Sequence, residues 1–305
     1  MKASFSASKL GIVFLSVLFC VNFLQAQTDD DDEPVTVDTS LVVINATITD
    51  AKGKPVPGLK QNQFQVFEDG KEQKIEFFGY ENTPFAAVIL LDSSGSMEQR
   101  VSLARSAAIQ FLDRLRPDDM TAIYNFDSKI SLVQDFSNSR DIYEGVFDIK
   151  SKGMTVLNDA IVKASEALAE RPEKRRAIIV LSDGADTFSK RSADKALKAA
   201  LAVNATIYTV DMSALTAGIS KERMQNQGVL KNFAEKSGGK FIATPGGVAM
   251  RDAFKNIGEE LGIQYTLGYQ PTNTARDGKW RTIELKTSKA DLNIRTRKGY
   301  NAPKK

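Results

Sequence analysis

Asp92, Ser94 and Ser96 occupy alternate positions in the run Asp92-Ser93-Ser94-Gly95-Ser96-Met97. One carboxylate and two hydroxyls make a set of hard oxygen donors, which suits Mg²⁺, Mn²⁺ or Ca²⁺ better than zinc. Ser-Ser-Gly-Ser is also ordinary turn chemistry, so the run by itself leaves a plain loop open. Two later stretches bear on it. Thr155 lies in Gly153-Met154-Thr155-Val156-Leu157-Asn158-Asp159-Ala160, just before a helical pattern. Asp183 lies in Leu181-Ser182-Asp183-Gly184, directly after the apolar stretch Ala177 to Leu181.

The surrounding pattern says what must hold these residues. Ala86 to Leu91 is a continuous apolar run after Pro84. Such a run reads as a strand buried on both faces, as in parallel sheets. From Gln99 to Leu115, apolar residues recur at Val101, Ala104, Ala108, Leu112 and Leu115, which is a helical period. Asp92, Ser94 and Ser96 therefore sit on a loop at the C-terminal end of a strand, where open α/β sheets place ligands. The alternation continues. Strands are expected at Met120 to Phe126, Lys129 to Asp135, Ala177 to Leu181, Ala205 to Val210 and Lys240 to Ala243. Helices are expected from Ser139 to Phe147, from Leu157 to Leu168, after the cap Ser192, around Val229 to Ala234, and from Ala249 to Ile263. Strands alternating with helices give an α/β, doubly wound, mostly parallel sheet.

Asp-x-Ser-x-Ser, then Thr, then Ser-Asp-Gly, each at a strand–loop–helix junction, resembles the von Willebrand factor A-type (VWFA) domain. The resemblance covers about residues 84–265, and it extends to a group of bacterial exported proteins with flanking β segments. In that family the five positions, here Asp92, Ser94, Ser96, Thr155 and Asp183, form a metal-ion-dependent adhesion site (MIDAS). The resemblance implies direct coordination by the serine hydroxyls, with threonine and the carboxylates binding directly or through water. It also implies that a partner protein supplies an exposed Asp or Glu to complete the shell of a Mg²⁺ (or Mn²⁺ or Ca²⁺) ion.

Composition limits the alternatives. The 305-residue chain is long enough for two domains, and its formal net charge is +3. Removing Lys2 and Lys9 with a leader leaves 39 basic against 38 acidic residues, a balance unlike that of a nucleic-acid binder. There is no histidine, which excludes histidine zinc sites and Ser-His-Asp or Cys-His catalysis. Residues 1–26 read as a signal peptide, with two lysines, an apolar stretch from Leu10 and a small residue at Ala26. The stretch is short for a membrane span of about 20 residues. Cleavage is the expectation and an uncleaved anchor the alternative. The mature chain then has no membrane span and is secreted, periplasmic or in the cell envelope. Its only cysteine, Cys20, leaves with the leader. Residues 27–34, with Asp29 to Glu33, form an acidic linker.

Residues 35–83 and 264–300 read as β segments on either side of a domain spanning 84–263, with 301–305 as a tail. Glu68-Asp69-Gly70-Lys71 is a hairpin turn, and Trp280 to Lys286 alternates strictly. Neither segment alone makes a well-buried sheet. The expectation is one small β-sandwich built from both, with Val42, Ile44, Phe64, Val66 and Phe77 sharing a core with Leu267, Trp280 or Ile283, and Ile294. Arg295, Arg297, Lys298, Lys304 and Lys305 read as a solvated basic face.

The leading functional expectation is a metal-dependent protein-binding module, not an enzyme. The alternatives are a metal-assisted hydrolase and a scaffold subunit of an envelope complex. Against the hydrolase, the nearest candidate base is Glu98, which a helix N-terminus explains without catalysis.

Overall fold

The computed structural model describes residues 41–80, 83–139, 153–213, 220–243 and 247–304. The expected leader, the acidic linker and most of the expected helix from Ser139 to Phe147 lie outside the described residues. In chain order the first strands are β1 (Val42–Thr49), β2 (Phe64–Glu68), β3 (Lys71–Gln73), β4 (Ile75–Gly79) and β5 (Phe85–Asp92). There follow α1 (Val101–Leu112), β6 (Met120–Phe126), β7 (Ile130–Ser137), α2 (Leu157–Ala169), β8 (Arg175–Ser182), α3 (Ala193–Ala202) and β9 (Ala205–Asp211). The chain continues through α4 (Lys221–Ser237), β10 (Phe241–Ala243), α5 (Val248–Gly262), β11 (Tyr265–Tyr269), β12 (Trp280–Thr287), β13 (Asn293–Thr296) and β14 (Gly299–Asn301).

The α/β part is a six-stranded sheet in the order β10-β9-β8-β5-β6-β7. All its neighbours are parallel except β6 and β7. β5 shows why an unbroken apolar run was needed. Ala86, Val88 and Leu90 pack into a core with α2, α3 and α4. Phe85, Ala87, Ile89 and Leu91 point the other way, into a core with α1 and α5. Successive side chains of a strand alternate between faces, so a strand covered on both sides must be apolar throughout. The helix ends follow local chemistry. Ser192 caps α3 by accepting from the Lys195 amide at 3.3 Å. Gly238 ends α4 at φ +83°, the left-handed conformation favoured at a helix C-terminus.

The chain ends form two antiparallel sheets, ordered β13-β1-β11-β4 and β14-β12-β2-β3. Strands from before and after the α/β part are neighbours in both. β1 lies between β11 and β13, and β12 pairs with β2. The cluster between the sheets includes Val42, Ile44, Phe64, Val66, Leu267 and Ile283, with Ile294 packed against it.

Two expectations need correction here, and the choice between Trp280 and Ile283 falls to Ile283. Phe78, not Phe77, packs on this core, because a bulge opposite Gly268 and Tyr269 breaks the two-residue alternation of β4. Phe77 instead lies under the Lys174 ammonium, 4.0 Å from its ring centroid. Trp280 is on the outer face of β12, while Arg281, Ile283 and Leu285 point inward. Arg295 and Arg297 are not on a solvated face. Arg297 is buried and donates to the Leu201 carbonyl, and Arg295 pairs with Glu260 of α5. Each arginine finds its acceptor on the α/β part, which the alternation of β13 alone does not reveal.

Candidate metal site at the end of the central strand

Asp92 is the last residue of β5 and is buried. Ser93 turns the chain by donating its amide to the Phe126 carbonyl at the end of β6 (2.8 Å). The Asp92 carboxylate then accepts twice. Its Oδ1 takes the Ser94 amide at 2.9 Å, and its Oδ2 takes the Ser182 hydroxyl at 2.6 Å. Ser182 is reachable because β5 and β8 run parallel in register, with Leu91 opposite Leu181. The Ser94 and Ser96 hydroxyl oxygens lie 3.2 Å apart, Ser94 buried and Ser96 exposed. Met97, fully buried, anchors the turn that follows, and its amide donates to the Ser94 carbonyl at 2.9 Å.

Thr155 is buried on the neighbouring loop. Its amide donates to the Thr187 hydroxyl at 2.9 Å, and its carbonyl accepts the amides of Thr187 and Phe188, each at 3.0 Å. The Val156 amide donates to the Asp127 carbonyl, tying this loop to the β6–β7 hairpin. The first loop passes the second where both carry glycine: a Cβ on Gly95 would stand 3.8 Å from the Gly153 carbonyl oxygen. Asp183 follows β8 and is half-buried, with its Oδ1 accepting the Ala185 amide at 3.0 Å. Asp186 holds the loop to α2 by accepting the Asn158 amide at 2.8 Å.

Electrostatics follow from this packing. Burial pushes the Asp92 carboxyl up to about 6, its hydrogen bonds to Ser182 and Ser94 pull it back, and the Asp183 charge adds a further push upward. Among the described residues Asp92 takes part in no ion pair. No group of three or more Cys, Asp or Glu able to hold a metal occurs among the described residues. The donor set at this strand end is instead mixed, two carboxylates with hydroxyls. Hard, partly buried oxygens of that composition fit a small divalent cation, which would offset the mutual repulsion of Asp92 and Asp183.

Residues 87–185 match the family model of the von Willebrand factor type A domain. The matched segment contains Asp92, Ser94, Ser96, Thr155 and Asp183. The chain is 29% identical over 161 residues to an uncharacterized protein of Synechocystis sp., covering 51% of this chain and 36% of that protein. It thus spans about a third of the length of that relative, 36%. The chain is similar to the vWF domain of the type V pili tip protein Mfa5 from Porphyromonas gingivalis. There the identity is 14%, covering 60% of this chain and 97% of that one, with a TM-score of 0.49. It is also similar to the conserved hypothetical protein BatB from Bacteroides thetaiotaomicron, at 20% identity over 58% of this chain and 97% of that one, with a TM-score of 0.47.

Two supporting residues of this segment escaped the reading of the sequence. Ser182 both donates to Asp92 and accepts the Gly184 amide at 3.0 Å. Thr187 holds Thr155 through its hydroxyl and its amide. The signal for Ser182 was its place one residue before Asp183. For Thr187 there was none, since a threonine 32 positions from its partner looks like any loop residue. The side chain of Glu98, weighed above as a base, is outside the described residues.

Proposed function

We propose that this chain is an exported, non-enzymatic binding module that engages an Asp or Glu of a partner protein through one divalent cation, Mg²⁺ or a similar ion, at Asp92, Ser94, Ser96, Thr155 and Asp183. The observation that carries the reading is Asp92. It is a buried carboxylate with a second carboxylate nearby and with neutral hydroxyls, not cations, as its neighbours on the described loops. Keeping such a group ionised is costly unless a cation compensates it. The family match over 87–185 supports the same reading. Export rests on the leader pattern of residues 1–26 alone.

The roles of the residues follow from their bonds. Asp92 is held in one orientation by Ser94 and Ser182, which presets it as an anionic ligand. Ser94 and Ser96 bring two hydroxyl oxygens close together and add no charge. A bound Mg²⁺ supplies a Lewis-acid position for an oxygen from outside the chain, since two aspartates only balance its charge. Calorimetry of Mg²⁺ binding to the full chain and to Asp183→Ala tests the proposal. One site should appear in the wild type and be largely lost in the variant, with the circular dichroism unchanged. Equal affinity in the two proteins would overturn it.

A further inference from the structure

Six large apolar side chains are exposed among the described residues: Leu132, Met154, Phe188, Met224, Val248 and Trp280. Single exposed apolar residues are normal on a protein surface, but a concentration of them marks an interaction site. Four of the six gather at one edge of the central sheet. β8, β9 and β10 run parallel to β5, so the segments that follow them leave the sheet at the edge where Asp92 ends β5. Phe188 follows β8, Met224 lies in the first turn of α4 after β9, and Val248 opens α5 after β10. Met154 directly precedes Thr155.

Two of the four are fixed beside the candidate metal site. Three hydrogen bonds fix the Thr187-Phe188 pair against Thr155, which Met154 directly precedes in the chain. Met154 and Phe188 are 49% and 57% exposed, although Thr155 is buried. On the Asp183 side, a Cβ on Gly184 would stand 2.6 Å from the Asn226 carbonyl oxygen. The start of α4 therefore abuts that loop, and Met224, two residues before Asn226, is 62% exposed.

We infer that the partner presents its coordinating Asp or Glu within an apolar segment, with aliphatic or aromatic side chains within a few residues of the acid. This rests on the metal-dependent reading above and specifies its partner. A lipid surface fits the rim less well than a protein segment, because the apolar side chains stand on separate loops and first turns and not along one amphipathic helix face. The charges among them are of both signs, Asp186 and Glu222 with Lys190 and Lys221. A partner whose acid is flanked only by polar residues would leave Met154 and Phe188 wet and gain nothing from them.

The test is selection of random linear peptides on the full chain in Mg²⁺, with elution by chelator, followed by binding of the best peptide to variants. The expected peptides carry one Asp or Glu with apolar neighbours. Phe188→Ser and Met154→Ser should each weaken the best peptide by about tenfold, as for residues central to an interface. Mg²⁺ affinity by calorimetry should stay as in the wild type, which separates this inference from the metal reading. Met224→Ser, farther from Thr155, serves as a second probe of the rim and should weaken binding less. Chelator-eluted peptides with acids among polar residues, or unchanged binding in both Phe188→Ser and Met154→Ser, would overturn the inference while leaving the metal site standing. Apolar peptides without an acid that survive chelation would overturn both. Failure to enrich any peptide, with Mg²⁺-dependent binding to phosphatidylserine vesicles instead, would overturn the protein partner.

Discussion

The Tyr208 hydroxyl donates a 2.5 Å hydrogen bond to Glu260. Tyr208 is in the middle of β9 and fully buried, and Glu260 is in the last turn of α5. The same carboxylate oxygen accepts the Thr47 hydroxyl of β1 at 3.1 Å and pairs with Arg295 of β13. Gln264 closes the network by donating to Tyr208 at 3.0 Å. One acid thus joins the last helix, the central sheet and the sandwich. Glu260→Ala leaves a buried phenol without its acceptor and a largely buried guanidinium with the Gly238 carbonyl but no countercharge. Removing one partner of such a pair costs about 3–5 kcal/mol. Urea denaturation should show that loss, with Glu260→Gln milder because it keeps an acceptor. A Glu260→Ala variant as stable as the wild type would mean that water replaces the carboxylate.

Ser182 supports the candidate metal site without being one of its proposed ligands. Ser182→Ala removes the 2.6 Å bond to Asp92 and the acceptor of the Gly184 amide. Hydrogen bonds to charged groups are worth about 1.5–3 kcal/mol. The variant should lose stability within that range and bind Mg²⁺ more weakly, because the carboxylate loses its fixed orientation. Ser182→Thr keeps the hydroxyl and should restore part of both, which a purely steric role would not predict.

Two glycines in and after α4 should respond oppositely to alanine. Gly228 is in the helix interior, and a Cβ there meets open space. Gly228→Ala should stabilise the chain by about 0.5–1 kcal/mol, through the lower entropy of the unfolded state. Gly239 lies just past the helix, where a Cβ would collide with the Ile207 carbonyl of β9. Relief requires α4 to shift from the sheet, a cost of about 1–3 kcal/mol for an overpacked site. Thermal melts of the two variants should move in opposite directions. A shared direction would refute the packing argument.

The sequence made the α/β part legible because burial on both faces writes itself as unbroken apolar runs, as at Ala86 to Leu91. Two of the expected strand ends were legible as well, since β5 closes on Asp92 and β8 ends one residue before Asp183. What stayed hidden were the buried charges outside the candidate site. Arg175 is fully buried and donates to Thr266 of β11 at 3.1 Å and to the Thr83 carbonyl at 3.2 Å. Arg297 and Glu68 are buried too. A charged residue in a strand reads as solvent-facing, and only a partner distant in sequence reverses that, as Tyr269 does for Glu68 and Leu201 for Arg297. The slip from Phe77 to Phe78 has the same character, since a bulge depends on pairing and not on composition.

Glu68 predicts the alkaline behaviour of the sandwich. Its carboxylate accepts the Tyr269 hydroxyl at 2.7 Å and the Tyr300 hydroxyl at 2.9 Å. Burial, then the bond to Glu68, holds both phenols well above the ordinary tyrosine range. The folded state keeps these protons where the unfolded chain releases them. Their contribution is therefore complete below about pH 10 and is lost as pH rises beyond it. Arg297 works the other way, since burial pushes it down to about 10 and its charge is relieved above that pH. Two phenols outweigh one guanidinium, so stability should fall above pH 10. Phenolate absorbance from Tyr269 and Tyr300 should appear together with unfolding and not before it. Gradual ionisation of all tyrosines in the folded chain would contradict this.

Removing the chain from Gln264 onward should separate the two parts of the structure. Among the described strands, β1 pairs with β11 on one edge, along Val42 to Ala46, and with β13 on the other, along Ala46 to Thr49, both from that tail; without them it keeps a bridge from Thr49 to Pro55 and the bond from the Val56 amide to the Ile48 carbonyl. β2 loses β12 in the same way, keeping only the three-residue β3. The core residues Leu267, Tyr265, Tyr269, Ile283 and Leu285 leave with the tail. What remains of the sandwich is one short hairpin and two isolated strands, below the three or more strands with an apolar face that a stable sheet needs. The central sheet loses none of its six strands, and both of its own cores are kept. The truncation does remove Arg295 from Glu260 and Thr266 from Arg175, so the remaining α/β part should be less stable than in the full chain. Limited proteolysis should accordingly cut within residues 41–80 while a fragment from about Phe85 to Ile263 persists. That fragment should still bind Mg²⁺, because all five proposed ligands lie within it. An N-terminal segment as resistant to protease as in the full chain would show that it packs independently of the tail, and the shared sandwich would have to be abandoned.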